Sequence, residues 1–150
     1  RKNYTVISLT KAHSSAEIGF LRKVLQIFEK YNVSIEAVPV TVDTYSIVVQ
    51  THLSNHCLYE IIGELKETVH PEDIRVEDHQ AMIAVVGREM KQRAGISGQL
   101  LSEFGRNKIN IRTISQSSYE LTIMIGVSDN DFEKSIKAIY EKFVAEEKKQ

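Results

Sequence analysis

The stretch Ile18-Gly19-Phe20-Leu21-Arg22-Lys23-Val24-Leu25-Gln26-Ile27-Phe28-Glu29-Lys30-Tyr31-Asn32-Val33-Ser34-Ile35 decides the fold, because its apolar skeleton is written again further along the chain. Gly19, Val24, Leu25, Phe28, Val33, Ile35 and Val38 return as Gly95, Leu100, Leu101, Phe104, Ile109, Ile111 and Ile114, each 76 positions later. The register extends to Ile47, Val48 and Val49 against Ile123, Met124 and Ile125. Solenoid repeats run roughly 20–50 residues, so a period this long marks a duplicated small domain. Two similar modules facing each other would enclose a pseudo-symmetric crevice, the kind of place where ligands bind.

Working outward, the 150 residues divide into two modules expected over 1–78 and 79–150. A module of this size buries only about 60% of its unfolded surface, so each half is expected to lean on the other or on a partner chain. With 19 basic and 20 acidic residues the net charge is −1, which provides no long-range field for nucleic acid or anionic membrane. The single Cys57 has no partner for an internal disulfide and fits a reducing cytoplasm, the expected location. No apolar run approaches the ~18 residues needed to span a bilayer, and no signal peptide is visible. Because the chain starts at Arg1 rather than Met, a piece of a longer protein is expected.

Residues 3–10 alternate as a strand. Ser14, Ser15 and Glu17 offer N-cap chemistry to an amphipathic helix carrying Phe20, Val24, Leu25, Ile27 and Phe28 and ending near Asn32. Extended runs come next at 33–38 and 44–51, then a helical face of Leu58, Ile61, Ile62 and Leu65, then a short strand with Ile74 and Val76. The order βαββαβ is ferredoxin-like, with two helices on one face of a four-stranded antiparallel sheet. A short linker is expected near 77–80. The second half repeats the pattern with strands at 82–86, 109–115 and 119–127, a helix at 96–106, and a last helix carrying Phe132, Ile136, Ile139, Tyr140 and Phe143. The closing residues 144–150 form a charged tail without strand pattern. The fold class is therefore α+β, two βαββαβ modules packed side by side, the second one strand short. An open edge is a liability, so the missing strand is expected from upstream of Arg1 or from another subunit.

Certain runs look familiar. Ile18-Gly19-Phe20-Leu21, Val24, Ile27, Phe28 and Tyr31-Asn32-Val33-Ser34-Ile35-Glu36 resemble the first ACT module of aspartate kinases. Ile83-Ala84-Val85-Val86-Gly87, Met90, Gly95-Ile96 and Asn110-Ile111-Arg112-Thr113-Ile114-Ser115-Gln116 resemble the second. The resemblance implies a tandem regulatory region that dimerises through its ACT modules. It also implies that the region binds lysine first, threonine second, as feedback inhibitor of aspartate phosphorylation in aspartate-family amino-acid biosynthesis. In such enzymes one module is inserted into the other, and the strand completing the second precedes the first. Two departures stand out: Ser117 and Ser118 follow Gln116 where the family has Gly, and Val40-Thr41 stands where a Thr-Ser pair is expected. Nothing resembles the Lys-Phe-Gly-Gly motif of the kinase domain, so no catalytic residue is assigned. No cofactor is expected in this segment; ATP and magnesium would belong to the kinase domain.

An amino-acid effector needs a partner for its carboxylate, one for its ammonium and a reader for its side chain. The helix start at Ile18, Gly19, Phe20 and Leu21 offers backbone N–H groups and a favourable dipole to a carboxylate. Gly19 admits close approach, or simply eases a tight strand-to-helix turn. Alternation puts Val33, Ile35 and Ala37 on one strand face and Ser34 and Glu36 on the other. A carboxylate at Glu36 suits a lysine side-chain ammonium, and is otherwise an ordinary surface charge. Glu17, Thr41, Asn110, Ile111, Ile114, Ser115 and Gln116 complete the expected effector set.

Other chemistries fare worse. His52, His56 and Cys57 make a poor zinc set, because they straddle a loop and no further Cys is available. Arg88, Lys91 and Arg93 near the second module's first helix suit phosphate less well than they suit a solvated loop. No Walker sequence, dinucleotide fingerprint or Gly-x-Ser-x-Gly elbow is present. RNA-recognition domains share the βαββαβ order but need aromatic residues on the central strands, and 82–86 and 109–115 carry none. The remaining alternative is a stand-alone ACT sensor or a dimerisation module without a catalytic partner.

Overall fold

The computed structural model of the chain describes residues 1–87, 95–116 and 122–144. Two compact units emerge, Asn3–His79 on one side and Arg1–Lys2 with Gln80–Gln150 on the other. The first contains β1 (Tyr4–Thr10), α1 (Phe20–Lys30), β2 (Ile35–Ala37), β3 (Thr44–Gln50), α2 (Thr51–Ser54), α3 (Leu58–Val69) and the opening of β4 (Asp73–Val86). Its strands lie in the order β2-β3-β1-β4. The β1–β3 register runs antiparallel from Tyr4 opposite Gln50 to Thr10 opposite Thr44. Period-2 alternation turns Ile7, Leu9, Ile47 and Val49 inward, where they meet Phe20, Val24 and Phe28 of α1 and Ile61, Leu65 and Val69 of α3.

The second unit holds the remainder of β4, then α4 (Ile96–Arg106), β5 (Thr113–Gln116), β6 (Thr122–Ser128) and α5 (Phe132–Ile139), with a π-helical turn over Tyr140–Val144. Its strands run in the order β4-β6-β5. The core gathers Ala81, Ile83, Leu100, Phe104, Ile109, Ile123, Ile125 and Val127. Arg1 joins this unit by a two-way backbone pair with Met82: its amino group donates to the Met82 carbonyl at 2.8 Å and its own carbonyl accepts from the Met82 amide at 2.8 Å. Lys2 reaches Glu133 at 3.7 Å and lies 5.6 Å from the centre of the Phe132 ring.

The duplication is visible in the backbone. Helices α1 and α4 start behind a glycine in left-handed conformation, Gly19 at φ 79° and Gly95 at φ 90°. Both end in a Schellman motif: Asn32 (φ 55°) and Lys108 (φ 53°) turn left-handed, and the next amide reaches back five residues to close the helix.

Several expectations from the sequence are corrected. The serines do not cap α1; Ser14–Ala16 form their own 3-10 turn, and Gly19 precedes the helix without any side-chain cap. The run 33–38 contributes only Ile35–Ala37 to the sheet, because Val33 is spent on the helix end, donating to the Phe28 carbonyl at 3.0 Å. Likewise 109–115 narrows and shifts to Thr113–Gln116, since Ile109 serves the end of α4. No linker separates the halves at 77–80; Asp73–Val86 is one strand, with His79 at φ 55° inside it. His52 lies in the short helix Thr51–Ser54 and Cys57 stands at the N-cap of α3, so these residues do straddle a loop, as expected. The expectations on Arg88, Met90, Lys91, Arg93, Ser117, Ser118, Tyr119 and the tail 145–150 fall outside the described residues.

Candidate functional site

The connection between β1 and α1 is built as a polar cradle, because several neighbouring elements hold it. The Lys11 amide donates to the Asp43 carbonyl at 2.9 Å and the His13 amide to the Asp43 carboxylate at 3.3 Å, tying the connection to the β2–β3 turn. The Ala12 amide donates to Glu72 at 3.3 Å, and the Glu72 amide donates to the Thr10 carbonyl at 2.8 Å, tying it to the start of β4. Past these ties come the 3-10 turn, Glu17, Ile18 and Gly19.

Glu17 sits between two cations, accepting from Lys11 Nζ at 2.6 Å and from Lys23 Nζ at 3.1 Å. Hydrogen bonding to Lys11, and then to Lys23, holds its carboxyl below the usual range. Lys11 also donates to the carbonyl of Val69 at 2.7 Å, at the end of α3, and lies 5.4 Å from the centre of the Phe20 ring. Phe20 is buried and packs against Tyr45 with ring centroids 4.8 Å apart. Ile18 is 97% exposed beside it, an apolar side chain with no partner surface of its own in the unit. At the start of α1 the Phe20 amide donates to the Glu17 carbonyl at 3.2 Å and the Lys23 amide to the Gly19 carbonyl at 3.0 Å, while no side chain caps the helix and no acid lies within its first turn.

Sequence reasoning missed Ser14 as a site residue. Its hydroxyl oxygen is buried and, among the described residues, is the one buried side-chain polar atom without a hydrogen-bond partner. An orphaned buried hydroxyl calls for a reason. The signal for a helix cap and the signal for a ligand-facing serine are the same residue type before a helix, so the sequence did not separate them.

The other expected residues of the first module spread along β2 and β3. Thr41 lies at the turn, its amide donating to the Thr44 carbonyl at 2.9 Å, next to the Asp43 tie. Leu21 packs half-buried on the core. Ser34 and Glu36 are exposed, Ile35 half-buried, and the Glu36 carboxylate accepts from the Gln50 amide at 2.6 Å. Gln50 ends β3 while Thr44 begins it, so Glu36 and the α1 start belong to opposite ends of that strand. In the second unit Asn110, Ile114, Ser115 and Gln116 are exposed and Ile111 half-buried, and Gln116 accepts from the Ser97 hydroxyl at 3.3 Å. Ser97 lies in the first turn of α4, so in this unit the edge strand reaches a helix start.

Metal chemistry has no support among the described residues, which bring together no group of three His, Cys, Asp or Glu side chains fit for an ion. Cys57 is buried, and that burial pushes its thiol up, away from the thiolate a metal needs. No helix among the described residues is long and apolar enough to cross a membrane.

Residues 83–143 match the family described as ACT domain. Over 140 residues the chain is 31% identical to aspartokinase 3 of Bacillus subtilis (strain 168), covering 93% of this chain and 31% of that protein. The crystal structure of Clostridium acetobutylicum aspartate kinase, an allosteric enzyme, superposes with a TM-score of 0.91 at 38% identity, over 95% of this chain and 33% of that one. E. coli aspartokinase III in complex with lysine and aspartate, in its T-state, has a TM-score of 0.76 at 21% identity, over 95% of this chain and 32% of that one. The chain thus spans about a third of the length of these relatives.

Proposed function

We propose, from the premise that this chain is an ACT-type regulatory region of the aspartate kinase family, that it binds a free amino acid and passes the occupancy of that site to a kinase as feedback inhibition. The effector proposed first is lysine, with threonine second, and the working assembly is a homodimer formed through the ACT modules. The observation that carries this reading is the uncapped start of α1, with Gly19 at φ 79° and the orphaned, buried Ser14 hydroxyl in the turn before it. A carboxylate can accept from the Leu21 and Arg22 amides, between the bonded amides of Phe20 and Lys23, and is favoured by the helix dipole. Ser14 supplies one more donor. Ligand-bound E. coli aspartokinase III, which shares the fold, holds lysine.

Regulation of this kind requires that the effector bind one state more tightly than the other, typically by 1–3 kcal/mol. Glu36, exposed on β2 at the opposite end of β3 from the α1 start, is the proposed reader of a cationic side chain for an effector shared between the two protomers of the homodimer. Its partner is the neutral Gln50 amide, a hydrogen-bond donor that brings no positive charge to the carboxylate. Exchanging Glu36 for Ala is expected to abolish the response to lysine and spare that to threonine. Equal loss of both responses would show that Glu36 does not read the side chain.

A further inference from the structure

We propose that Glu17 is an internal competitor of the effector: its carboxylate occupies two lysine ammonium groups at the start of α1 that a free amino acid's carboxylate would otherwise use. This inference rests on the effector reading above. Glu17 was expected among the effector's direct contacts, yet its two oxygens are already divided between two cations, Oε2 with Lys11 at 2.6 Å and Oε1 with Lys23 at 3.1 Å. An acid so placed repels an incoming carboxylate and has no oxygen left without a cation to offer an incoming ammonium.

Of the two cations, Lys11 is held independently of Glu17. Lys11 keeps the Val69 carbonyl and the Phe20 ring as partners. A cation at the last carbonyls of α3 is favoured by that helix's own dipole. Lys23 lies in the first turns of α1, and its neighbour Arg22 approaches within 3.8 Å of the position that a Cβ on Gly19 would take. Lys11, Lys23 and Glu17 together carry a net positive charge, to which the positive end of α1 adds. With Glu17 engaged, a second carboxylate must share these lysines or displace it, so Glu17 raises the concentration at which the site fills.

Titration calorimetry on the whole chain with three probes, lysine, threonine and acetate, tests this. Glu17→Gln keeps the shape and removes the charge, and is expected to tighten binding of every responding probe by about 2- to 5-fold, the worth of a partly exposed ion pair. Lys11→Met is expected to weaken it by a similar factor. Circular dichroism melts establish that both variants are folded. Weaker binding by Glu17→Gln, restored by Glu17→Asp, would make Glu17 a direct ligand and overturn the proposal, as would unchanged affinity or silence of both wild type and Glu17→Gln toward all three probes. If acetate alone binds and the Glu17→Gln gain persists, the competitor stands and the amino-acid effector reading falls.

Discussion

The amide of Ile109 donates to the carbonyl of Phe104 at 3.0 Å, closing α4 in the way that Val33 and Phe28, also 3.0 Å apart, close α1. Each pair also packs its two side chains into the core of its own unit. The hydrogen bond and the apolar contact together define the Schellman end, which requires a left-handed residue between them. Asn32 fills that position in the first module and Lys108 in the second.

Asparagine tolerates the left-handed region, whereas lysine meets the Cβ penalty in full. Lys108→Gly is therefore expected to stabilise the chain by about 1 kcal/mol, and Asn32→Gly by less. Urea titration of the two variants against wild type reads the difference. Equal effects at both positions would contradict the assignment of strain to Lys108.

The glycines that open the two helices invite the converse experiment. Gly19→Ala and Gly95→Ala are each expected to cost about 1–2 kcal/mol through positive φ alone, since neither added Cβ meets an atom closer than ordinary contact. Denaturant midpoints that left either variant unchanged would show that the turn relaxes. In the first module the same change crowds the proposed carboxylate site.

Gly126 is tight for a different reason. A Cβ there would stand 3.1 Å from the Thr113 Cβ and 3.3 Å from the Met82 sulfur, where β5, β6 and β4 meet. Overpacking of this kind costs about 1–3 kcal/mol, so Gly126→Ala is expected to lower the urea midpoint by a corresponding amount. A midpoint equal to that of wild type would mean that β5 yields freely.

Acid sensitivity arises from two carboxylates. Lys11 and Lys23 hold Glu17 below its ordinary value, and Lys30 with the Tyr31 hydroxyl does the same for Glu64. The unfolded chain protonates glutamate near pH 4.3, so in the acidic range it binds more protons than the folded chain. The stability these two groups contribute is present above about pH 4.3 and is lost as pH falls through their depressed folded values. Melting temperature against pH is expected to drop below that point in wild type and to drop less in the Glu17→Gln, Glu64→Gln double variant. Parallel curves for the two proteins would place the acid sensitivity elsewhere.

Much of this fold was legible because helix amphipathicity and strand alternation are local. The period linking Phe28 to Phe104 located both helices, and their observed limits, Phe20–Lys30 and Ile96–Arg106, keep the same 76-residue offset. What the pattern did not carry was the ownership of boundary residues. Val33 and Ile109 read as strand because they are β-branched, but a helix-closing hydrogen bond claims them. The polar run 77–80 read as a linker, yet backbone pairing holds a strand through it without any apolar alternation. For the site, residue types near the α1 start were readable. The partnership of Glu17 with Lys11 and Lys23 was not, because side-chain reach across a turn leaves no period in the sequence.

Thermal melting of the chain with each of the twenty amino acids at millimolar concentration tests most directly whether it senses one. Lysine, or failing that threonine, is expected to raise the melting temperature, a ligand at 100 times its dissociation constant adding about 2.7 kcal/mol of stability. A melting temperature unmoved by all twenty would contradict the account.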